Sequence, residues 1–141
     1  MPKITREEVR QLLEAELPWG IEMGFEVDRI GAGAATVRLP YRPLFSRPGG
    51  TVAGPMLMGL ADFAMYVAVL SLIGRVEMAV TTNLTCNFLR RPRPKDVIGE
   101  ARVLKLGKRL AYGEVSLFTA GEEGDGPVAH VTATYSIPPE R

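Results

Sequence analysis

The sequence predicts an α+β protein in which an antiparallel β-sheet wraps around one long central helix, with a short helix at the N-terminus. Three observations support this prediction. Residues 54–73 are almost continuously apolar and are bounded by Gly54-Pro55 and by Gly74. Four segments after Gly74 read as strands, and the connections between them are short enough for hairpins. Two shorter alternating segments precede the apolar one.

The N-terminal part contains the short helix and a predicted hairpin. Thr5 and Glu8 have the spacing of a capping box, and apolar residues at helical spacing follow, so we expect a helix over residues 6–16. Apolar and polar or glycine residues alternate over residues 21–27, which predicts a half-buried strand. A glycine-rich turn then leads to a second strand over residues 35–39.

The apolar segment reads as the central helix. A proline in the first turn of a helix costs no hydrogen bond, and a glycine is a common C-terminal stop. A helix that is apolar all round is buried either in a protein core or in lipid. Its one charged residue, Asp62, would be costly inside a bilayer, and the surrounding sequence reads as β-structure, so we expect a protein core and no membrane span. The loop over residues 40–53 is long and rich in Pro and Gly, which is typical of functional loops.

The composition narrows the function classes. The 141 residues are enough for a single domain over 1–141, with its core at about 20–138. The net charge of +1 gives no electrostatic case for nucleic acid binding. A single cysteine, Cys86, excludes an internal disulfide framework and argues against a metal site. The N-terminus lacks an apolar signal segment, so a cytoplasmic location is expected.

Four segments, in their order and spacing, resemble the hotdog-fold thioesterases, specifically the PaaI-type (phenylacetate-pathway) acyl-CoA thioesterases. These segments are Leu60-Ala61-Asp62, Asn87-Phe88-Leu89-Arg90, Gly107-Lys108-Arg109-Leu110-Ala111 and Ala129-His130-Val131-Thr132-Ala133-Thr134-Tyr135. The resemblance extends from about residue 20 to residue 138. It implies a hotdog fold and a homodimer, or a tetramer built as a dimer of dimers, with active sites at the dimer interface.

The same resemblance implies an acyl-CoA thioesterase with no cofactor beyond the coenzyme A of its substrate. Asp62 matches the helix carboxylate that acts as general base on water or as nucleophile. Thr81 matches the strand hydroxyl that helps to place the water. In the family, a backbone N–H at the start of the helix polarises the thioester carbonyl.

Two departures from the family pattern stand out. Ala53-Gly54-Pro55 replaces a His-Gly-Gly stretch, and because Pro55 has no N–H, Gly54 or Met56 would have to supply the donor. Arg47 stands near the position of a family asparagine. The alternative for Asp62 is a structural role, hydrogen-bonded to a loop or paired with an arginine such as Arg47.

Basic residues cluster in two predicted loops. Arginine binds phosphates well, so these residues are candidates for binding the phosphates of coenzyme A, and the alternative is ordinary solvated charge that balances acidic turns. The substrate-binding candidates are Arg47, Arg90, Arg91, Lys108 and Arg109, with Arg93 and Lys95 nearby. His130 is expected on a polar strand face, and Cys86 is expected to be a core thiol.

The sequence therefore predicts an acyl-CoA thioesterase that uses carboxylate-assisted attack of water. The first alternative is a hotdog protein that binds acyl-CoA or another apolar ligand without hydrolysing it, which the altered His-Gly-Gly stretch favours. A hotdog dehydratase or hydratase is a weaker alternative, because no second acid-base residue lies close to Asp62 in the sequence.

Overall fold

The computed structural model describes residues 1–139 and contains a six-stranded antiparallel sheet that wraps around one long helix, as predicted. The helices are α1 (Arg6–Glu16), α2 (Pro18–Met23) and α3 (Gly54–Ile73). The strands are β1 (Glu26–Gly31), β2 (Ala34–Leu39), β3 (Ser46–Arg47), β4 (Thr51–Val52), β5 (Val80–Phe88), β6 (Val97–Leu106), β7 (Leu110–Thr119) and β8 (Ala129–Ser136).

The main sheet has the order β1-β2-β6-β7-β8-β5, so β1 and β5 are its two edges. Every neighbouring pair is antiparallel, and α3 contacts all six of these strands. Side chains from the inner sheet face and from α3 form one core, which includes Val37, Leu60 and Val115, each fully buried. The small β3–β4 hairpin lies in the segment before α3 that was predicted to be a loop.

Helix α3 has the predicted bounds. Pro55 stands in its first turn, and Gly74 caps its C-terminus at φ 85°, with its N–H donating to the Leu70 carbonyl at 2.8 Å. A residue with a side chain would be strained at that angle, so the glycine stops the helix there. The helix is long and apolar enough to cross a membrane by length and composition, but most of its side chains are buried against the sheet and α1. It is therefore the core helix of this fold.

The predicted strand over residues 21–27 is wrong in its first half. Pro18–Met23 form the short helix α2, and the first strand begins only at Glu26. Pro18 starts this helix, and Gly24 ends it in the left-handed region at φ 81°. Such a Pro-start and Gly-end pair is a helix signal, and it prevails over an alternation that spans only a few residues.

Strand β5 carries a one-residue bulge. Thr81 pairs with Tyr135, whereas Asn83 pairs with Thr134, so Thr82 is the extra residue. Because side chains alternate along a strand, one extra residue reverses the faces beyond it. Thr81 therefore points to the helix side of the sheet together with Leu84, Cys86 and Phe88.

Candidate active site

Asp62 is a half-buried carboxylate whose Oδ1 atom accepts two hydrogen bonds. The Thr81 hydroxyl donates to it at 2.7 Å, and the Tyr135 hydroxyl donates at 2.6 Å. The hydrogen-bond partners of Asp62 are thus on β5 and β8 and not on a loop. Arg47 does not pair with Asp62 but lines the cavity at the start of α3. With Oδ1 fixed by two donors, Oδ2 is the oxygen left to accept a proton from a water molecule. Thr81, which was predicted to help place the water, donates its hydrogen bond to the Asp62 carboxylate itself.

Tyr135 is the site residue that sequence reasoning missed. Its hydroxyl also lies 2.8 Å from the backbone carbonyl of Asp62, and only 3% of the residue is exposed. Burial raises the pKa of Tyr135 well above its usual value, and the charge of Asp62 raises it further, so the hydroxyl stays a donor. The signal was present in β8, where Ala129, Val131, Ala133 and Tyr135 all face the core and only the last has a polar group.

A cavity of about 180 Å³ lies beside Asp62. Its walls are largely apolar and aromatic, which suits an acyl group more than a charged one. The lining side chains include Leu17, Trp19, Phe63, Tyr66, Val80 and Tyr135. Thr81 and Asp62 form its polar part, and Glu77 is its second acidic residue. An apolar ligand in this cavity would lie next to the Asp62 carboxylate.

The start of α3 forms a separate site. Gly54 faces the ring of Phe88, and a Cβ added to Gly54 would lie 3.3 Å from that ring. The Met56 N–H already donates to the Ala53 carbonyl at 3.0 Å, so of the two predicted donors Gly54 is the one left to bind an oxyanion. Asp62 lies eight residues further along the helix, which corresponds to about 12 Å. Within one protomer the Gly54 N–H and the Asp62 carboxylate are therefore too far apart to contact the same thioester carbonyl group.

A cavity of about 400 Å³ at the start of α3 brings three predicted arginines together with Gly54. We call Arg47, Arg90 and Arg91 the helix-end cluster. Lys95, by contrast, pairs with Glu122 in the acidic turn at 2.8 Å, which matches the alternative of solvated, balanced charge.

Lys108 and Arg109, the hairpin cluster, lie in the β6–β7 turn. This turn is at the opposite end of β5 from the helix-end cluster, because Val80 and Leu110 both pair with Ser136. The nine residues of β5 separate the two clusters by about 30 Å within one protomer. The hairpin cluster borders a cleft of about 810 Å³ that also includes Lys3, Arg75 and Glu77. Glu77 also lines the Asp62 cavity, so the hairpin cluster lies at the Asp62 end of the molecule.

The two remaining polar candidates lie outside these cavities. His130 Nε2 is 2.9 Å from Glu114, on the outer face of the sheet, as expected for a polar-face residue. Hydrogen bonds from His130 and from Arg102 lower the pKa of Glu114. Cys86 is half-buried against the core, and burial raises the pKa of its thiol, which disfavours the reactive thiolate.

Known proteins have similar sequences and the same overall architecture. A candidate thioesterase structure from a Silicibacter species superposes with a TM-score of 0.87 at 42% identity, over 99% of this chain and 95% of that one. The phenylacetic acid degradation protein PaaI of Thermus thermophilus, in a single-site mutant form, gives 0.75 at 25% identity, over 86% and 99%. An esterase candidate of Sulfurisphaera tokodaii is 31% identical over 120 residues, which are 85% of this chain and 89% of that protein.

The family description that matches the sequence directly is "Thioesterase superfamily", over residues 49–125. That range contains α3 with Asp62, and the first three strands that follow it. The predicted hotdog fold is confirmed, because the structural neighbours are thioesterases of this kind and include PaaI-related proteins. The chain is a member of the thioesterase superfamily, with the fold of the PaaI-type hotdog thioesterases and the hydrolase character of that family.

Proposed function

We propose that this protein is an acyl-CoA thioesterase in which Asp62 activates the attacking water. The observation that supports this most directly is the fixed carboxylate, with Oδ1 held by two hydroxyls and an apolar cavity beside it. A general base must lie within hydrogen-bond reach of the proton that it removes, and Oδ2 is free to do so. The reaction takes place without a metal ion or a redox step.

The proposed reaction is hydrolysis by direct attack. The water oxygen forms a bond to the thioester carbonyl carbon while one of its protons passes to Oδ2 of Asp62. The carbonyl oxygen becomes an oxyanion, which a backbone N–H at the start of a helix stabilises. When the tetrahedral intermediate collapses, the C–S bond breaks, the coenzyme A sulfur receives the proton, and the acid is released.

Gly54 and Asp62 lie about 12 Å apart along α3. We therefore assign the complete site to residues of two protomers. Strand β5 is a sheet edge, and two of its side chains are exposed although apolar, Val80 at 58% and Phe88 at 54%. An unpaired edge of this kind is a template for pairing with a second copy. If two β5 strands pair antiparallel about their midpoint, Phe88 of one protomer lies beside Val80 and Thr81 of its partner.

This pairing would complete two equivalent sites. Gly54 contacts Phe88, and Thr81 contacts Asp62, so the exchange of strand ends brings the donor of one protomer to the carboxylate of the other. It also brings the helix-end cluster of one protomer toward the hairpin cluster of its partner. Both clusters would then flank one substrate, with cationic groups available for the phosphates of coenzyme A. We therefore propose a cytoplasmic homodimer, alone or paired into a tetramer.

The test is thiol release from short, medium, long and aryl CoA thioesters by wild type and by Asp62→Asn. The amide keeps an oxygen acceptor for Thr81 and Tyr135 but cannot take a proton, so we expect release to fall by about 10²–10⁴-fold with the fold intact. Glu26→Gln, exposed on β1 at the sheet edge opposite β5, is the matched control and should behave as wild type. Unchanged release by Asp62→Asn would refute the mechanism.

A second candidate function is acyl-CoA binding without hydrolysis. The observation in its favour is the start of α3, where Pro55 lacks an N–H and the Met56 N–H is already engaged. An oxyanion there would have fewer donors than in the family pattern. Tight binding of acyl-CoA by wild type, with no thiol release from any thioester, would establish this function instead.

A further inference from the structure

One wall of the Asp62 cavity comes from α2, a helix outside the segment that matches the family. Trp19 on α2 lies against α3 at Gly59, where an added Cβ would be 3.8 Å from Cζ3 of the indole. Gly59 is one turn before Phe63, which lines the same cavity. Because Gly59 has no side chain, the indole can lie directly on the helix surface next to Asp62.

Trp19 is held in this position by neighbouring rings. Its ring meets Phe25 edge to face at a centroid distance of 5.4 Å, and Phe25 stacks on Phe63 at 4.8 Å. The helix that carries it is packed closely on α1, since a Cβ on Gly20 would lie 2.5 Å from Leu13. Such aromatic pairs add to the energy of burial and prefer a defined geometry. Trp19 is therefore a fixed wall of the cavity.

The cavity is small for an acyl pocket. It measures about 180 Å³ within one protomer. Pockets for drug-sized ligands are usually about 300–1,000 Å³. The cavity is already open to solvent on one side, and 43% of Trp19 is exposed, so removal of the indole would widen it.

We propose that Trp19 limits the size of the acyl group, and that the site prefers compact, uncharged acyl groups to long chains. This inference rests on the proposed function, because it takes the cavity beside Asp62 as the acyl pocket. A longer chain would have to displace the indole from Gly59 and from Phe25. The carboxylate of Asp62 disfavours an acyl group that carries its own negative charge.

The first experiment measures kcat/KM for a series of linear acyl-CoA thioesters from acetyl to palmitoyl. Wild type should prefer butyryl-CoA to decanoyl-CoA, and Trp19→Ala should raise the ratio of decanoyl to butyryl turnover at least about tenfold, as expected when a pocket gains space for methylenes. Ile21→Ala is the matched control, because Ile21 is exposed on the same helix but does not line the cavity. Its ratio should equal that of wild type.

A second measurement does not depend on turnover. Trp19 is the only tryptophan of the chain, so its fluorescence reports on this wall alone. In the Asp62→Asn background, butyryl-CoA should change the emission, whereas coenzyme A without an acyl group should leave it unchanged. Trp19→Phe serves if the alanine variant is unstable, and it should give an intermediate chain-length ratio.

The outcomes separate the two proposals. Absence of thiol release by wild type would overturn the proposed catalysis, and the fluorescence change would still decide whether the acyl group meets Trp19. A wild-type chain-length profile in a folded Trp19→Ala protein, or identical emission with butyryl-CoA and coenzyme A, would overturn the role of Trp19.

Discussion

Replacement of Tyr135 by phenylalanine tests whether the hydroxyl pair on Asp62 contributes to catalysis. The change removes one oxygen and keeps the ring that packs in the core next to Tyr66. It deletes the 2.6 Å hydrogen bond to Oδ1 and leaves the bond from Thr81 in place. Asp62 then has one donor instead of two, and its carboxylate can rotate about the remaining bond.

The size of the effect follows from the kind of bond. A hydrogen bond to a charged group contributes about 1.5–3 kcal/mol, and the lower part of that range applies because Thr81 still binds the same oxygen. A loss of about 1.5–2 kcal/mol of transition-state stabilisation corresponds to a decrease in kcat of about 10–30-fold, at about 1.36 kcal/mol per factor of ten. KM should change by less than about threefold, since the hydroxyl is bonded to Asp62 and not positioned to bind substrate.

The assay is thiol release, with Tyr66→Phe as the matched control. Tyr66 lines the same cavity and stacks on Tyr135, but its hydroxyl donates to the Glu77 carbonyl at 3.0 Å and does not contact Asp62. Because, of these two tyrosines, only Tyr135 has its hydroxyl bonded to Asp62, the decrease in kcat should appear in Tyr135→Phe only. Wild-type kcat in Tyr135→Phe, or an equal decrease in Tyr66→Phe, would refute the assignment.

Three further predictions concern other parts of the site. Thr81→Val should lower kcat by about tenfold, because it removes one hydrogen bond to the charged carboxylate. Thr82→Val is the control and should leave kcat unchanged, since it loses only a hydrogen bond to the Thr134 carbonyl on the outer face of the sheet. Charge reversal of either the helix-end cluster or the hairpin cluster should raise KM for CoA thioesters but not for N-acetylcysteamine thioesters, which lack phosphates, and an equal rise for both substrates would contradict phosphate binding. Burial raises the pKa of Tyr66 to about 12, so on raising the pH the Tyr66 hydroxyl ionises in the unfolded state before it does so in the folded state. Its contribution to the free energy of unfolding is therefore present below about pH 10 and should be lost between about pH 10 and 12. Urea unfolding should show a smaller loss of stability over this pH range in Tyr66→Phe than in wild type.

The fold could be predicted from sequence where the pattern is long and its ends are marked. Helix α3 follows from the almost continuously apolar segment of twenty residues, Gly54–Ile73, that Gly74 ends, and β6, β7 and β8 follow from alternation and short turns. Helix α2 could not be recognised in the same way, because six residues hold less than two turns and their apolar positions also fit a strand. The proline and glycine at its ends were the better signal.

The candidate site was predictable only in part, for a different reason. Asp62 is conspicuous because it is the one charge in an apolar helix, and the resemblance pointed to Thr81. Tyr135 lies 73 residues away from Asp62 along the chain, and its inward direction is typical of any core residue of a strand. Only the tertiary structure shows that its hydroxyl reaches the carboxylate, and that α2 brings Trp19 to the same cavity.

The bulge at Thr82 determines which changes of length β5 can accommodate. It sets Thr81 directly across from Tyr135, so both hydroxyls reach one oxygen of Asp62, while Phe88 still faces Gly54. A deletion or insertion of one residue between Thr81 and Phe88 would turn one of these two side chains to the opposite face of the sheet. Substitutions in this strand alter one contact at a time, whereas a single-codon insertion or deletion separates the two ends of the site. Variation in β5 is therefore expected in residue type and not in residue number.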